Sequence, residues 1–403
     1  MPHLFAVGMR AGPETRQAMR LALGTASALG LARFAYGLLL PAMRDELRWT
    51  LAEAGAVSAA NGLGYLLGAL MTAAAVRRRG AATVFRWGTV LTAPVLAATA
   101  TSDAYPVLLA ARAAAGTAGA AVFVSGGVIA SRLAARAASG TPITVYFAGT
   151  GLGIAVAGAG IPPLGGHWRP AWVGLGVAAG LAALVSWTAA QAGEEAPAVT
   201  AGRAQLRPLR GIALAYLLFA AGYITYITFL SAYLAEAPLG QVVLAWTALG
   251  LAVVAAPALW SRPTTGWPGT RALTVLLGLL AAAGAAPAMA APAPPVVLAS
   301  VVVYGATFMG VPAAVTAIIK GNTAPADWTA TLAAFTTLFA AGQTAGPWLA
   351  GLVADHTSAG AALAWTAILC AAAALVAAFA DPTRHTPPGS AEKTPGGEAS
   401  MRQ

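Results

Sequence analysis

Long apolar runs recur along the whole chain, separated by short polar segments. Twelve of these runs have about the twenty residues that an α-helix needs to cross the hydrocarbon core of a bilayer. Only 9% of the residues are charged and 58% are hydrophobic, whereas soluble globular proteins carry about 25% charged residues. The pattern therefore predicts an all-α membrane protein with twelve transmembrane helices. They are expected near residues 19–43, 52–76, 82–101, 105–131, 141–164, 171–190, 211–235, 241–261, 270–290, 295–319, 328–353 and 360–380.

The positions of lysine and arginine predict the orientation of these helices, because cytoplasmic loops are enriched in positive residues. With both termini cytoplasmic, eighteen of the twenty-three fall in cytoplasmic segments, three in outer loops and two inside the membrane. We therefore expect a multi-pass protein of the bacterial inner membrane with both termini in the cytoplasm. This bias also explains the net charge of +10. The expected partners are the lipid bilayer and a small-molecule substrate, with no nucleic acid, and the protein is expected to be a monomer.

The longest polar interruption within the body of the chain divides the helices into two sets of six. Two six-helix halves with a binding site between them at mid-membrane are a known plan of transporters. The C-terminal tail is rich in proline, glycine, serine and charge, a composition typical of disorder. The predicted segments are a cytoplasmic leader at 1–17, an N-terminal half at 18–190, a cytoplasmic linker at 191–210, a C-terminal half at 211–380 and a disordered tail at 381–403.

Two arginines, Arg33 and Arg112, lie deep within apolar runs, and no aspartate, glutamate, lysine or histidine lies as deep. A charge in hydrocarbon costs at least about 2.5–3.5 kcal/mol, so such residues normally face a cavity or a partner. A guanidinium group offers planar, bidentate donors to carboxylate and phosphate oxygens. The pair predicts a positive central cavity for a small organic anion. In the alternative interpretation, either arginine bonds helix-end carbonyls or tyrosine hydroxyls and never meets substrate.

Other polar side chains in the apolar runs are further candidates for this cavity. Residues 33–40 align faintly with residues 223–230, which places Arg33 and Tyr223 at equivalent positions of the two halves. Tyr65 and Gln343 are expected to bridge neighbouring helices, as polar groups in membrane helices commonly do. The residues expected to line the cavity and bind or orient substrate are Tyr36, Asn61, Tyr223 and Tyr226.

Motifs in several helices match a pattern shared by one family. The first helix carries Gly-x-x-Arg-Phe-x-Tyr from Gly30 to Tyr36, and the fourth carries Arg112-x-x-x-Gly116. A glycine- and proline-containing pattern in the fifth helix is similar to one common in exporters. By these motifs the chain resembles the major facilitator superfamily, and in particular its YbfB/YjiJ-like branch. The resemblance implies two six-helix halves and a secondary carrier that works by alternating access. The residues expected to set helix kinks or close packing are Gly151, Gly160, Pro162, Gly346 and Pro347.

The coupling mechanism and the direction of transport stay open at this point. Glu53, near the start of the second helix, is the candidate for proton coupling, and anion exchange and uniport are the alternatives. A proton-coupled multidrug exporter is the main alternative function, although such exporters usually have a buried acid. A transport-inactive receptor or scaffold is an alternative of another class. The sequence contains no nucleotide-binding loop, no cluster of metal ligands and no nucleophile–histidine pair, so we predict no enzymatic activity, no metal and no cofactor.

Overall fold

The computed structural model describes residues 12–190, 202–289 and 293–380, and within these ranges all regular structure is helical. Three of the predicted segments lie partly or wholly outside the described residues. These are the leader at 1–17, of which residues 12–17 are described, the linker at 191–210, of which 202–210 are described, and the tail at 381–403.

Twelve long helices occur in the described ranges, and the all-helical fold class is confirmed. Ten of them are long and apolar enough to cross a membrane. The other two are α9, whose apolar described part is shorter, and α11, which contains five threonines and Gln343. The helices are α1 (Pro13–Leu47), α2 (Leu51–Arg79), α3 (Ala81–Thr99), α4 (Tyr105–Arg136), α5 (Thr141–Gly160), α6 (Trp168–Trp187), α7 (Arg210–Tyr233), α8 (Leu239–Gly266), α9 (Arg271–Met289), α10 (Pro294–Asn322), α11 (Trp328–Asp355) and α12 (Ala359–Phe379).

Several helices extend beyond the apolar runs from which they were predicted. α1 begins at Pro13, inside the predicted leader, since proline has a backbone suited to the first position of a helix. α4 continues to Arg136 and α8 to Gly266. Helix formation depends on backbone hydrogen bonds, so it continues where the side chains become polar and the predicted bilayer ends.

The first six helices pack mainly with one another, and so do the last six. In the first half, α2 and α3 both pack on α4, and α1 packs on α5. In the second half, α7 packs on α11 and α12, and α9 packs on α12. The halves meet along three pairs of helices, which are α1 with α7, α2 with α11, and α5 with α8.

We call the side of the bundle where α1 begins the N-terminal side, and the side where α1 joins α2 the far side. Successive helices run in opposite directions, so even-numbered helices begin on the far side. The end of α1 and the starts of α4 and α6 therefore lie together there. Arg169 at the start of α6 forms ion pairs with Glu46 of α1 and with Asp103, next to α4.

Glycines bring the two halves into backbone contact at mid-membrane and toward the far side. A Cβ atom added to Gly37 would lie 2.2 Å from the carbonyl oxygen of Ile227, and one added to Gly55 would lie 2.2 Å from that of Pro347. Real Cβ contacts are never this short, so only glycine allows these helices to approach so closely. Small residues serve this purpose generally in membrane helix contacts.

A carboxylate of the second half closes the far side over the start of α2. The backbone N–H groups of Leu51 and Ala52 donate to the two carboxylate oxygens of Asp355, at 2.6 and 2.9 Å. The first N–H groups of a helix have no partner within that helix, and they carry the positive end of its dipole. Asp355, at the end of α11, thus satisfies two donors of the other half.

Candidate functional site

Arg33 lies in a π-helical segment, Ala26–Phe34, in the middle of α1. The N–H of Ala35 accordingly donates to the carbonyl of Gly30, five residues earlier, at 3.0 Å. Arg33 is 14 residues from the end of α1 at Leu47, or roughly 21 Å at 1.5 Å per residue. Since π-helical turns are rare and are found frequently at functional sites, the backbone marks this position independently of the charge.

The guanidinium of Arg33 joins the two halves of the protein. Its Nη2 donates to Gln343 Oε1 of α11 at 2.6 Å and to the hydroxyl of Tyr223 of α7 at 3.3 Å. The Tyr223 hydroxyl donates in turn to the same Gln343 oxygen at 3.1 Å. Because two donors converge on that oxygen, the side-chain nitrogen of Gln343 must point elsewhere.

Two donors of this cluster lack partners. Arg33 Nε and Gln343 Nε2 are buried and form no hydrogen bond with any part of the chain that the structure describes. Arg33 is 8% exposed and Gln343 is fully buried, and within the described ranges Arg33 forms no ion pair. A buried polar group without a partner costs about 1–3 kcal/mol, and more when it is charged. A ligand whose polar atoms are all hydrogen-bond acceptors would supply the missing partners of both donors.

Arg112 is enclosed within the first half. It is 1% exposed and lies between the rings of Tyr36 and Trp172, whose centroids are 5.3 and 5.0 Å from its guanidinium carbon. Its Nε and Nη1 have no hydrogen-bond partner among the described residues. Arg33 thus lies between the halves, whereas the aromatic contacts of Arg112 come from α1 and α6 of the first half.

The other predicted cavity residues are divided between several locations. Tyr36 donates to the carbonyl of Ala54 at 2.8 Å, and the Asn61 amide donates to the carbonyl of Arg112 at 3.0 Å. Tyr226 is hydrogen-bonded to Ser300 and stacks on Tyr304 within the second half. Of these four residues, only Tyr223 is hydrogen-bonded to Arg33, and the two occupy the positions that the internal repeat aligns.

Glu53 forms a capping box at the exposed start of α2. Its carboxylate accepts from the N–H of Thr50 at 2.9 Å, and its own N–H donates to the Thr50 hydroxyl at 3.1 Å. This arrangement satisfies the first turn of the helix and gives Glu53 a local structural role. A part in proton coupling stays a prediction.

The predicted packing residues behave differently from one another. A Cβ on Gly151 would lie 2.4 Å from the backbone nitrogen of Val254, and one on Gly346 would lie 2.1 Å from the carbonyl of Ala221. The carbonyl of Pro347 is the atom that faces Gly55 across the α2–α11 contact. No atom lies within 4 Å of a Cβ added to Gly160, so this glycine is not at a close helix contact, and its part in a helix kink stays a prediction. α5 ends at that glycine, and a short 3-10 turn begins at Pro162.

The sequence did not indicate the specific contacts of three residues that are important to this arrangement. Gln343 was expected to bridge helices and does so, but with the arginine as its partner. Trp172 packs against Arg112, and nothing in the apolar run around it distinguishes it from other core residues. Asp355 follows the apolar run of α11 with no local signal of a structural role, yet its carboxylate binds the start of α2.

Several solved structures of membrane transporters have the same architecture. The chain is similar to the nucleoside transporter NupG, with 14% identity over 91% of this chain and 98% of that chain and a TM-score of 0.66. It is similar to the human organic anion transporter MFSD10 (TETRAN), with 17% identity, coverage of 91% and 100%, and a TM-score of 0.63. A bacterial homologue of the human lysosomal transporter Spinster, in an inward-facing and unoccupied conformation, gives 14% identity, coverage of 92% and 96%, and a TM-score of 0.60. At these identities the likeness shows the fold alone.

A family profile is more specific than the shared fold. The profile described as "Uncharacterised MFS-type transporter YbfB" matches residues 25–381. The chain therefore belongs to the YbfB family of major facilitator transporters, as its motifs predicted. A comparison with curated proteins found no match.

Proposed function

We propose that this protein is a secondary transporter that moves a small organic anion by alternating access, with Arg33 as the anion-binding residue. The observation that carries the proposal is the bonding of the Arg33 cluster. A buried guanidinium forms no ion pair in the described part of the chain, and two neighbouring donors have no acceptor. An anion at this point would supply the missing acceptors and neutralise the charge.

The position of the cluster between the halves supports its use in an alternating-access cycle. Arg33 belongs to α1 of the first half, and both its hydrogen-bond partners belong to the second half. A ligand bound here would contact both bodies that move. Its affinity would therefore differ between conformations, as is required for a ligand to shift a conformational equilibrium.

The contacts on the far side indicate which conformation the structure represents. Backbone contacts at Gly37 and Gly55, together with the Asp355 cap, join the halves on that side. We assign the N-terminal side to the cytoplasm of a bacterial inner membrane, because the lysines and arginines are concentrated there. The structure then corresponds to a state that is closed to the outside, with both termini cytoplasmic and two halves at 18–190 and 211–380.

Arg112 has a supporting electrostatic role in this proposal. Its enclosure by Tyr36 and Trp172 leaves it without direct access from the interface between the halves. Its positive charge in the same half would favour an anion over a cation near Arg33.

The test is binding and transport by the purified full chain with Arg33 substituted. Acetate, succinate, benzoate and phenyl phosphate are screened by thermal shift, with tetraphenylphosphonium as a cationic probe, and the best ligand is used in liposome counterflow. We expect stabilisation by an anion, its loss in Arg33→Gln and a partial loss in Arg33→Lys, which keeps the charge but not the planar donors. Arg262→Gln, an exposed arginine at the end of α8, is the matched control. Stabilisation by the cation alone, or anion transport at the parental rate in Arg33→Gln, would refute the proposal.

A further inference from the structure

Aromatic rings surround the Arg33 guanidinium on the side of the first half. Its carbon lies 5.3 Å from the ring centroid of Tyr65 and 5.8 Å from that of Phe34. The ring of Phe123 follows at 6.4 Å from that of Tyr65. Tyr65 and Phe34 are buried, whereas Phe123 is half-buried and keeps some accessible ring surface.

A second group of rings lies in the other half and is built around Tyr223, which is hydrogen-bonded to the same guanidinium. Tyr223, whose hydroxyl accepts from Arg33, stacks nearly parallel to Phe339 at 5.3 Å and to Phe308 at 6.0 Å. Phe308 is also 6.0 Å from Phe34, so the two groups of rings meet across the interface. Phe339 is half-buried, like Phe123.

Tyr65 and Phe339 lie on the side of Arg33 that is not closed by the contacts between α2 and α11. Those contacts run from Gly351, which meets Leu51, through the contact of Gly55 with Pro347, to Gly62, which faces the carbonyl of Gln343 at 3.2 Å. Tyr65 follows Gly62 by three residues, and Phe339 precedes Gln343 by four. Both therefore lie beyond the last of these contacts, toward the N-terminal side, from which a ligand would reach Arg33.

The donors and the rings together define a chemical class. Arg33 Nε and Gln343 Nε2 need an acceptor, which a single carboxylate supplies with both oxygens. A second carboxylate would find no second cation here among the described residues, because Arg112 is enclosed in the first half. Beyond the carboxylate, a ligand meets ring surfaces from both halves, where a planar π system gains about 0.5–1.5 kcal/mol beyond the burial of its area. We infer that the substrate is an aromatic monocarboxylate, an inference that rests on the proposed function.

Three ligands that separate the aromatic ring from the carboxylate test this inference. Benzoate and cyclohexanecarboxylate carry the same carboxylate on rings of similar size, and benzamide carries the aromatic ring without the charge. Binding to the purified full chain is measured by isothermal titration and by thermal shift. We expect benzoate to bind about 2- to 10-fold more tightly than cyclohexanecarboxylate, with no binding of benzamide.

Ring substitutions test whether the preference arises at this site. Phe339→Leu and Tyr65→Leu, made separately, should reduce the preference toward unity while cyclohexanecarboxylate binding persists. Phe379→Leu, a ring that is 86% exposed at the end of α12, is the control and should keep the preference. Equal binding of the two carboxylates by the parental protein would overturn this inference and leave the proposed function standing. Binding of neither carboxylate would also overturn this inference alone if another anion of the screen still bound, whereas benzoate binding unchanged in Arg33→Gln would overturn both.

Discussion

At Arg33, hydrogen bonding is confined to one nitrogen of the guanidinium. Nη2 has two partners in the second half, while Nε has none in the described part of the chain. Gln343 repeats this asymmetry, since its oxygen accepts twice and its nitrogen does not donate. A neutral amide thus holds the arginine in place without cancelling its charge, which leaves the charge available to a ligand.

Replacing that amide with a carboxylate tests this interpretation. In Gln343→Glu the carboxylate would lie at hydrogen-bond distance from the guanidinium and would form a buried ion pair. We expect a higher melting temperature, because the buried charge gains a partner, and at least about a 10-fold loss of anion affinity, equivalent to about 1.4 kcal/mol. Thermal unfolding and ligand titration of the purified variant measure the two effects.

The matched control adds the same charge away from the cluster. Gln241→Glu lies in the first turn of α8, on the far side, and should leave anion affinity unchanged. Parental anion affinity in Gln343→Glu would show that the ligand does not use the free side of Arg33.

At the scale of the helix, the start of α2 depends on two different sources of acceptors. The N–H of Thr50 donates to the Glu53 carboxylate, and the N–H of Glu53 donates to the Thr50 hydroxyl, so both find acceptors within the same segment. The N–H groups of Leu51 and Ala52 depend on Asp355 of the other half. Opening of the far side would therefore expose two donors of α2 to water and release a carboxylate, so this contact contributes to the equilibrium between the closed and open states.

Asp355→Ala should shift that equilibrium toward an open far side. Hydrogen bonds to a charged group contribute about 1.5–3 kcal/mol each, so their loss should raise the open fraction by about 10-fold or more. The reporter is Ser58→Cys in a Cys370→Ala background, because Ser58 bonds Thr228 across the interface at 3.1 Å. The measurement is the rate of labelling by a membrane-impermeant maleimide added from the far side.

Asp103→Asn provides the comparison for this experiment. It removes a far-side carboxylate that pairs with Arg169 inside the first half, so it should leave the labelling rate unchanged. Equal labelling rates for Asp355→Ala and the parental reporter would exclude Asp355 from closure of the far side.

The helices were predictable from the sequence because hydrocarbon thickness imposes a length and an apolar composition on each of them. Their ends were less predictable, since α1, α4 and α8 extend beyond the apolar runs from which they were predicted. The importance of Arg33 was also visible, because a lone charge in an apolar run is conspicuous. Its partner Gln343 lies 310 residues away, and the Asp355 contact spans 304 residues. Such pairings depend on how the halves dock, which local patterns do not specify.

For the whole molecule, the docking of the two halves depends on glycines at which no side chain fits. On the α5–α8 contact, an added Cβ at Gly151 would lie 2.4 Å from Val254 N and 2.5 Å from the carbonyl of Gly250. We expect a conformation closed on the far side to need this backbone approach and an open conformation to release it.

Gly151→Ala should therefore disfavour the closed far side and slow transport by at least about 10-fold, because packed interfaces tolerate added atoms poorly. Liposome counterflow measures the rate, and labelling at Ser58→Cys should increase in parallel. Gly174→Ala, within α6, adds the same methyl group where no atom lies within 4 Å, and it should transport normally. Parental transport by Gly151→Ala would show that the closed packing is not part of the cycle.

The π-helical segment of α1 allows a change at the site without tilting of any helix. Nine residues ending at Phe34 follow the wider hydrogen-bond pattern, and moving such a turn along α1 would shift the bonding of the residues that it passes by one position. Because each residue of an α-helix corresponds to about 100° of rotation, this shift would rotate the Arg33 side chain out of the interface between the halves while the ends of α1 stayed fixed. A local change in the hydrogen bonding of one helix would thus move the Arg33 charge away from its ligand, independently of any relative movement of the two halves.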